Sequence, residues 1–522
     1  MRSTAWWAAQ PMLFNSAVFL LLFLPGALIL YHLLFARAQR WRQPFLIALT
    51  ILFYAIGGKK FLVLLLVSVA VNYAVARWIT ARRRAGGSAC WPLITGIGFD
   101  LALLFYFKYY AAVIVGAGGL FGLDLPLKHI ALPLGISFFT FQQIGFLVDL
   151  ARGKFEMKRA VDYAGFVLFF PQLLAGPIVR YEELVPQLRE RPADAASTNI
   201  LIGLTIFAIG LFKKVVIADT VATLAAPVFD AAATGATPGM MACWIAAFAY
   251  TAQIYFDFSG YSDMAIGTAR MFGVVLPLNF HSPLRASSII ELWRRWHVTL
   301  SRWAQSYIFQ PLTIPLARFS ADHAAGKLAS FLLSFAVPIL LSMVVIGVWH
   351  GAGWTFVLFG VLQGVYMAVN EYWRMTHRKA RKARKGPPPF YVEPMYRALT
   401  LVAFVVAVVA FRAPSLGVVG RMYGAMLGVG GDAAVAWPGS LGAALAILAV
   451  IYAIIYLAPN TQTILARYEP VLEWAKWRKV DPPRVAIEWR LTAGWTIASA
   501  VLLFVGFVLM MRGTTNFIYF NF

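Results

Sequence analysis

Two histidines stand in stretches of this 522-residue chain that are otherwise suited to lipid. His350 lies in IGVWHGAGWTFVLFG (346–360), directly after a long apolar run, and His297 lies in ELWRRWHVTLSRW (291–303). A neutral imidazole, with an ordinary pKa of about 6.5, is suited to take a proton from a hydroxyl near neutral pH. It is also suited to relay protons or simply to pack. Charged side chains at membrane depth cost about 2.5–3.5 kcal/mol on insertion scales, and even a neutral imidazole needs a polar partner there. If the segment around His297 is helical, Trp293, His297 and Ser301 share one face, and Glu291 can pair with Arg295. With Arg294, Arg295 and Arg302 so close, that helix is expected at the interface or along an inward cavity. Local features equally suit an interfacial anchor of Trp and Arg. At His350, Gly351 and Gly353 permit a tight turn or a close approach of a ligand, and Trp349 and Trp354 supply apolar walls or belt anchors. A plain loop histidine between two helices fits as well. Asp257 and Asp263, in YFDFSGYSDMAIG (255–267), are further intramembrane candidates, for which pairing with Lys, Arg or backbone competes with chemistry.

The elements that must position these residues are membrane helices. Hydrophobic residues make up 61% of the chain and charged residues 13%, with a mean hydropathy of +0.72. Soluble domains have about 25% charged residues, so this is a polytopic membrane protein. A single continuous bundle, 1–522, is expected. Runs near spanning length fall at 12–35, 44–58, 61–79, 92–116, 130–150, 200–218, 239–256, 328–348, 353–373, 396–412, 440–458 and 491–511. The segments 162–178, 261–278 and 413–430 are interrupted by Pro or Gly. FFPQLLAGPIV (169–179) reads as re-entrant or broken backbone shielded by protein or by a cavity.

The net charge of +23 does not imply nucleic acid. Basic residues sit in short blocks between apolar runs, RAQRWRQ (37–43), ARRRAGG (81–87), RGKFEMKR (152–159) and RMTHRKARKARKG (374–386), which is a topology signal with possible lipid contact. Alternating the spans puts the first three blocks on one side, the cytoplasm, with the N-terminus outside. The fourth is assigned there by charge. The basic stretch 374–390, with KGPPPF (385–390) as a stiff linker, then divides a core, 1–373, from C-terminal helices, 391–522. Cys90 and Cys243 have no CxxC spacing and read as small buried residues. The first apolar run is too long for a signal-peptide core. GAGGLFG (116–122) does not fit GxGxxG. There is no GxxxxGK[ST], HExxH, GxSxG or GDS sequence, and no metal site is expected.

WRRWHVTLS followed by VWHGAGWTFVLFG resembles the membrane-bound O-acyltransferases, and more closely their alginate O-acetylase branch. The likeness extends in order through LFNSAVFLLLFLP (13–25), YFKYY (106–110), LPLGISFFTFQ (132–142), FFPQLLAGPIVR (169–180), KKVVIADT (213–220), YTAQIYFDFSGYSDMAIG (250–267) and FRAPSLGVVGRMYGAML (411–427). The resemblance implies an all-α fold of roughly 11–13 transmembrane helices around a central tunnel, with re-entrant or interfacial helices. It makes His350 the catalytic histidine and His297 a supporting one. Trp293, Ser301, Trp349, Gly351, Gly353, Asp257 and Asp263 become tunnel candidates. The chain departs from the family pattern LSRFLRDYLYIPLGG, reading LSRWAQSYIFQPLTIP (300–315) with Ser306 in place of the Asp. That affects the surface for donor or partner recognition.

The implied activity is transfer of an acetyl group from a cytoplasmic thioester, acetyl-CoA or an acyl-carrier thioester, for O-acetylation of an exported polysaccharide. No bound cofactor is implied. The implied setting is the bacterial inner membrane, in contact with lipid, with a separate periplasmic esterase-like (SGNH-type) acetyltransferase as partner. A transporter or flippase with proton-relay histidines, a structural subunit of a secretion complex, and D-alanyl transfer to a cell-wall polymer are the rival readings.

Overall fold

The computed structural model describes residues 12–518 apart from 36–37, 122–129, 191–194, 325, 384–385, 387–388, 432, 434, 436, 438, 481–484 and 514–516. Parts of the 37–43 block, of GAGGLFG and of the 374–390 linker therefore lie outside the described residues. Among the described residues the architecture is all-helical, and strand-type pairing is limited to two isolated bridges, Pro238 with Ala433 and Pro277 with Leu472.

Among the described residues, six helical stretches are long and apolar enough to cross a membrane: Arg40–Arg84, Cys90–Gly116, Ala196–Ala233, Lys327–His350, Val392–Arg412 and Ala493–Met511. Shorter apolar helices are Phe19–Leu34, Ile136–Ala151 and Leu441–Leu457. Two further long helices, Met240–Met271 and Trp354–Thr376, carry more polar residues. The expected spans 44–58 and 61–79 are the two arms of one helix, kinked where Gly58 leaves helical geometry (φ −155°, ψ 41°). The segment 261–278 is not a separate span, because helix Met240–Met271 runs on through Met271 before an irregular stretch. Nor is 413–430, whose helix Leu416–Met426 has only 11 residues. FFPQLLAGPIV is broken backbone: Ala160–Val167 and the single turn Phe170–Leu173 precede an extended run, and every residue from Gly165 to Val179 is buried. Thr50 repairs one break, its hydroxyl donating to the Leu168 carbonyl (3.1 Å) and accepting from the Phe170 N–H (2.9 Å). Protein therefore supplies the hydrogen bonds that lipid cannot.

Helix Met240–Met271 is the central post, buried continuously from Ile254 to Met271. It packs on Ala196–Phe212 through facing glycines, Gly203 on Gly267 and Gly210 on Gly260. A methyl added at Gly210 would meet the Gly260 carbonyl at 2.6 Å, so the two backbones touch in the manner of small-residue membrane packing. A π-helical turn, Lys213–Ala218, then turns both lysines onto the post: Lys213 pairs with Asp263 (2.6 Å), and Lys214 with Asp257 (2.8 Å) and Asp219 (2.8 Å).

The basic blocks gather at one end of the bundle. Arg42, 1% exposed, donates to the Gln187 carbonyl (2.8 Å) and the Tyr31 hydroxyl (2.5 Å). Arg159 and Arg189 converge on Asp162, Arg83 donates to the Leu150 carbonyl (3.1 Å), and Arg152 to the Ser306 carbonyl (3.4 Å). The blocks 37–43, 81–87 and 152–159 thus share a side, in agreement with alternating spans.

Candidate functional site

The segment around His297 is not one helix. Ile289–Arg295 begins at Ser288, whose side chain accepts from the Glu291 N–H, and Glu291 in turn pairs with Arg295. The helix ends at Arg295, Trp296 is extended, and His297 sits in the left-handed region (φ 41°, ψ 53°) before Val298–Ala304. The expectation that Trp293, His297 and Ser301 share a helical face is therefore corrected, since the break at His297 turns its side chain out of that register. A non-glycine residue in this conformation carries about 1–3 kcal/mol of strain and needs its surroundings to hold it. They do so from the strand-like run before it. The His281 N–H donates to the Arg295 carbonyl (2.9 Å) and the Val298 N–H to the Asn279 carbonyl (2.9 Å).

The side chain of Asn279 completes the clamp. Its Oδ1 accepts from the Thr299 hydroxyl (2.9 Å) and lies 3.0 Å from His297 Nδ1, while its Nδ2 donates to Ser262 (2.9 Å). An amide oxygen only accepts, so His297 carries its proton on Nδ1. Phe258 (4.6 Å between ring centres), Phe280 (6.3 Å), Phe138 (6.4 Å) and Trp349 (6.3 Å) enclose the ring.

His350 is the last residue of helix Val337–His350. Gly351 is extended there, and any side chain on it would collide with the Phe356 ring. The imidazole packs against Phe411 (5.0 Å) and Trp349 (4.9 Å). Trp349 thus contacts both histidine rings, and it is also stacked on Phe141 (5.1 Å). Two side chains from the π-helical turn Phe105–Tyr109 hold the exposed carbonyls of this helix end: Tyr109 donates to Val348 (2.8 Å) and Lys108 to Trp349 (2.5 Å).

Helix Val337–His350 and the turn leading into it border two cavities. One, of about 60 Å³, is lined by Trp349, His350, Lys108, Leu174 and the run Leu132–Phe138. The other, of about 510 Å³, touches Phe335 to Ile346 and is lined also by Trp293, Ser301, Arg294, Arg302 and Arg374. Arg302 pairs with Glu183 (2.5 Å), which places this larger cavity at the basic end and brings the 374–386 block to that end as well.

Among the sequence candidates, His350 and Trp349 line the small cavity, and Trp293 and Ser301 the large one. His297 lines neither and reaches the small cavity's wall through its contact with Trp349. Gly353 is the extended residue before the next helix, outside both cavities, and Trp354 is 74% exposed. Asp257 and Asp263 are held by Lys214 and Lys213. Asp263 also accepts from Thr461 and Gln462 (2.7 Å each), and Asp257 from the Ile518 N–H (2.9 Å). Both carboxylates tie C-terminal segments to the central post. Asn279 was invisible to spacing arguments, because its contact with His297 runs from loop to loop. Lys108 had a signal, as a lone cation in the apolar run 92–116. Ser306, at the departure from the family pattern, accepts from Arg180 (2.8 Å), so the arginine ending FFPQLLAGPIVR keeps a partner without the Asp.

Residues 148–412, which hold both histidines, match the model of the MBOAT, membrane-bound O-acyltransferase, family. The chain is 38% identical over 428 residues to the probable alginate O-acetylase AlgI of Pseudomonas putida, covering 80% of this chain and 81% of that one. It is 37% identical over 396 residues to the peptidoglycan O-acetyltransferase of Helicobacter pylori, covering 70% and 72%. It is 27% identical over 260 residues to a teichoic acid D-alanyltransferase of Streptococcus thermophilus, covering 48% and 60%. With both motif histidines brought to one aromatic cluster in an all-helical membrane bundle, the chain belongs to the membrane-bound O-acyltransferase family and is an acyltransferase.

Proposed function

We propose that this acyltransferase moves an acetyl group from a cytoplasmic thioester toward an exported polysaccharide, with His350 as general base. The observation that carries this reading is the place of His350: it is the motif histidine at a cavity wall, on a helix whose preceding turns line the large arginine-bordered cavity. A thioester donor, acetyl-CoA or a carrier protein's phosphopantetheine, brings phosphate, which Arg294 suits electrostatically, while Arg302 and Arg374 at the same cavity are paired with Glu183 and Glu371. His350 takes the proton of the acceptor hydroxyl while that oxygen bonds to the thioester carbonyl carbon. The tetrahedral intermediate collapses with cleavage of the C–S bond, and the thiolate recovers the proton from the imidazolium. His297 fixes the cluster from behind, its ring orientation set by Asn279.

The relatives' acceptors, alginate and peptidoglycan by name, support a polysaccharide acceptor here. The basic end faces the cytoplasm of a bacterial inner membrane under the positive-inside rule. The hydroxyl acylated at His350 belongs to the polymer or to a separate periplasmic esterase-like acetyltransferase that completes transfer. The test is acetyl-ester content of the exported polysaccharide in a deletion strain complemented with wild type or His350→Ala. Wild type restores the esters and His350→Ala, at equal membrane abundance, does not. Esters restored by His350→Ala remove His350 from the role, and no ester change with wild type removes the polysaccharide.

A further inference from the structure

Lys108 is a basic side chain inside a membrane-spanning helix, and no carboxylate lies within ion-pair distance of it among the described residues. A charge at that depth costs about 2.5–3.5 kcal/mol on insertion scales, so a lysine that served only to fill space would be outcompeted by Leu or Met. Its surroundings are specific. The π-helical turn Phe105–Tyr109 inserts an extra residue into the helix, a distortion frequent at functional sites. The Nζ lies 2.5 Å from the Trp349 carbonyl, 3.5 Å from the Ser137 hydroxyl and 5.7 Å from the Trp349 ring centre. It lines the same 60 Å³ cavity as His350.

We infer that Lys108 is a second catalytic residue, whose ammonium group stabilises the oxyanion formed on the acyl carbonyl as His350 deprotonates the acceptor. The inference rests on the reading of His350 as base. The charges explain the pairing. A protonated Lys108 beside an imidazole opposes protonation of that imidazole, unless a negative charge develops in the same cavity at the same moment. In acyl transfer it does: as the hydroxyl oxygen bonds to carbon, the carbonyl π electrons move onto oxygen, and the proton goes to His350. The ammonium then faces an anion, and the imidazolium forms beside a neutralised pair. When the C–S bond breaks, the electrons return to re-form the carbonyl and the thiolate takes the proton from His350. Low dielectric makes one such donor worth about 100- to 1,000-fold in rate.

Helix capping is the competing role, because Lys108 also holds the Trp349 carbonyl. Tyr109 separates the two. Tyr109→Phe removes the neighbouring cap at Val348 and nothing from the cavity. In the complemented deletion strain, at matched membrane abundance, Lys108→Met should lower the rate of ester accumulation by about 100-fold or more. Lys108→Arg should recover part of it, and Tyr109→Phe should lose far less at a similar fall in thermal stability of the purified protein. If Lys108→Met fails to fold, Lys108→Gln, which keeps a donor for Trp349, carries the same expectation. Equal losses in Lys108→Met and Tyr109→Phe, or a Lys108→Met rate within threefold of wild type, would overturn the inference. Loss with His350→Ala but not with Lys108→Met defeats only the role of Lys108. Activity retained in His350→Ala defeats the reading beneath it.

Discussion

His297 and His350 have the same side chain and nearly the same burial, 1% and 4% exposed, yet they occupy different kinds of place. His297 is wedged at a helix break in a left-handed conformation, its Nδ1 committed to Asn279 and its ring closed in by four aromatic side chains. His350 ends a regular helix with a cavity on one side and Phe411 and Trp349 on the other. The first is fixed by many contacts and holds other things in place. The second has room beside it for a reacting group. Burial does not separate these two histidines; an adjoining cavity does.

The sharpest test of that contrast is substitution at the two positions under one assay. His350→Gln should leave the melting temperature of the detergent-purified protein near wild type while lowering acyl transfer by about 100- to 10,000-fold. A His350→Gln protein that melts early and transfers normally would invert the comparison. The buried carboxylates set the architectural extreme. Lys214→Met removes the cation shared by Asp257 and Asp219 and should cost about 3–5 kcal/mol of stability, whereas Lys214→Met with Asp257→Asn should recover part of it. Equal melting of the single and double variants would show that the pair is not coupled.

His297 should fall between these. His297→Val puts a β-branched residue at positive φ and should destabilise by about 1–2 kcal/mol or more, while His297→Asn, a residue that tolerates this region, should fold normally and lose activity less than His350→Gln. A stable His297→Val protein would mean that the break does not depend on the residue at its centre. Narrowing the large cavity with Ser301→Phe should raise the apparent KM for the thioester donor with little change in kcat, because Ser301 lines that cavity and not the one at His350. A fall in kcat alone would move the chemistry into that cavity.

The smallest effect is expected at the basic end. Burial alone would raise the Asp162 carboxyl, but hydrogen bonds from Arg189 and Gln43, with the charges of Arg189 and Arg159, outweigh it and hold the group below the ordinary carboxylate range. A carboxyl lowered in the folded state stabilises above its unfolded value of about 3.9, and that contribution is lost as pH falls through the lowered value. Arg189→Met should therefore flatten the acid limb of a stability–pH profile while leaving transfer at neutral pH close to wild type. An unchanged acid limb would show that the pair adds nothing.

Composition and apolar runs were enough to specify a membrane bundle, because spanning length and low charge are properties of the chain itself. The side shared by 37–43, 81–87 and 152–159 was legible too, since alternation of spans is arithmetic. The Glu291–Arg295 pair followed from i,i+4 spacing within one helix. Local periodicity failed where contacts between distant segments overrode it. Gly58 and the Met240–Met271 post redistributed the expected spans, and the clamp from Asn279 and His281 broke the helix at His297. The roles of Asp257 and Asp263 likewise depended on Lys213 and Lys214, which a π-helical turn on another helix brings to them. Residue types and spacings carried the membrane class and the topology and singled out the two histidines, whose ranking came from the family resemblance. Which histidine has space beside it, and that Lys108 shares that space, depended on packing between segments far apart in the chain, which no local pattern encodes.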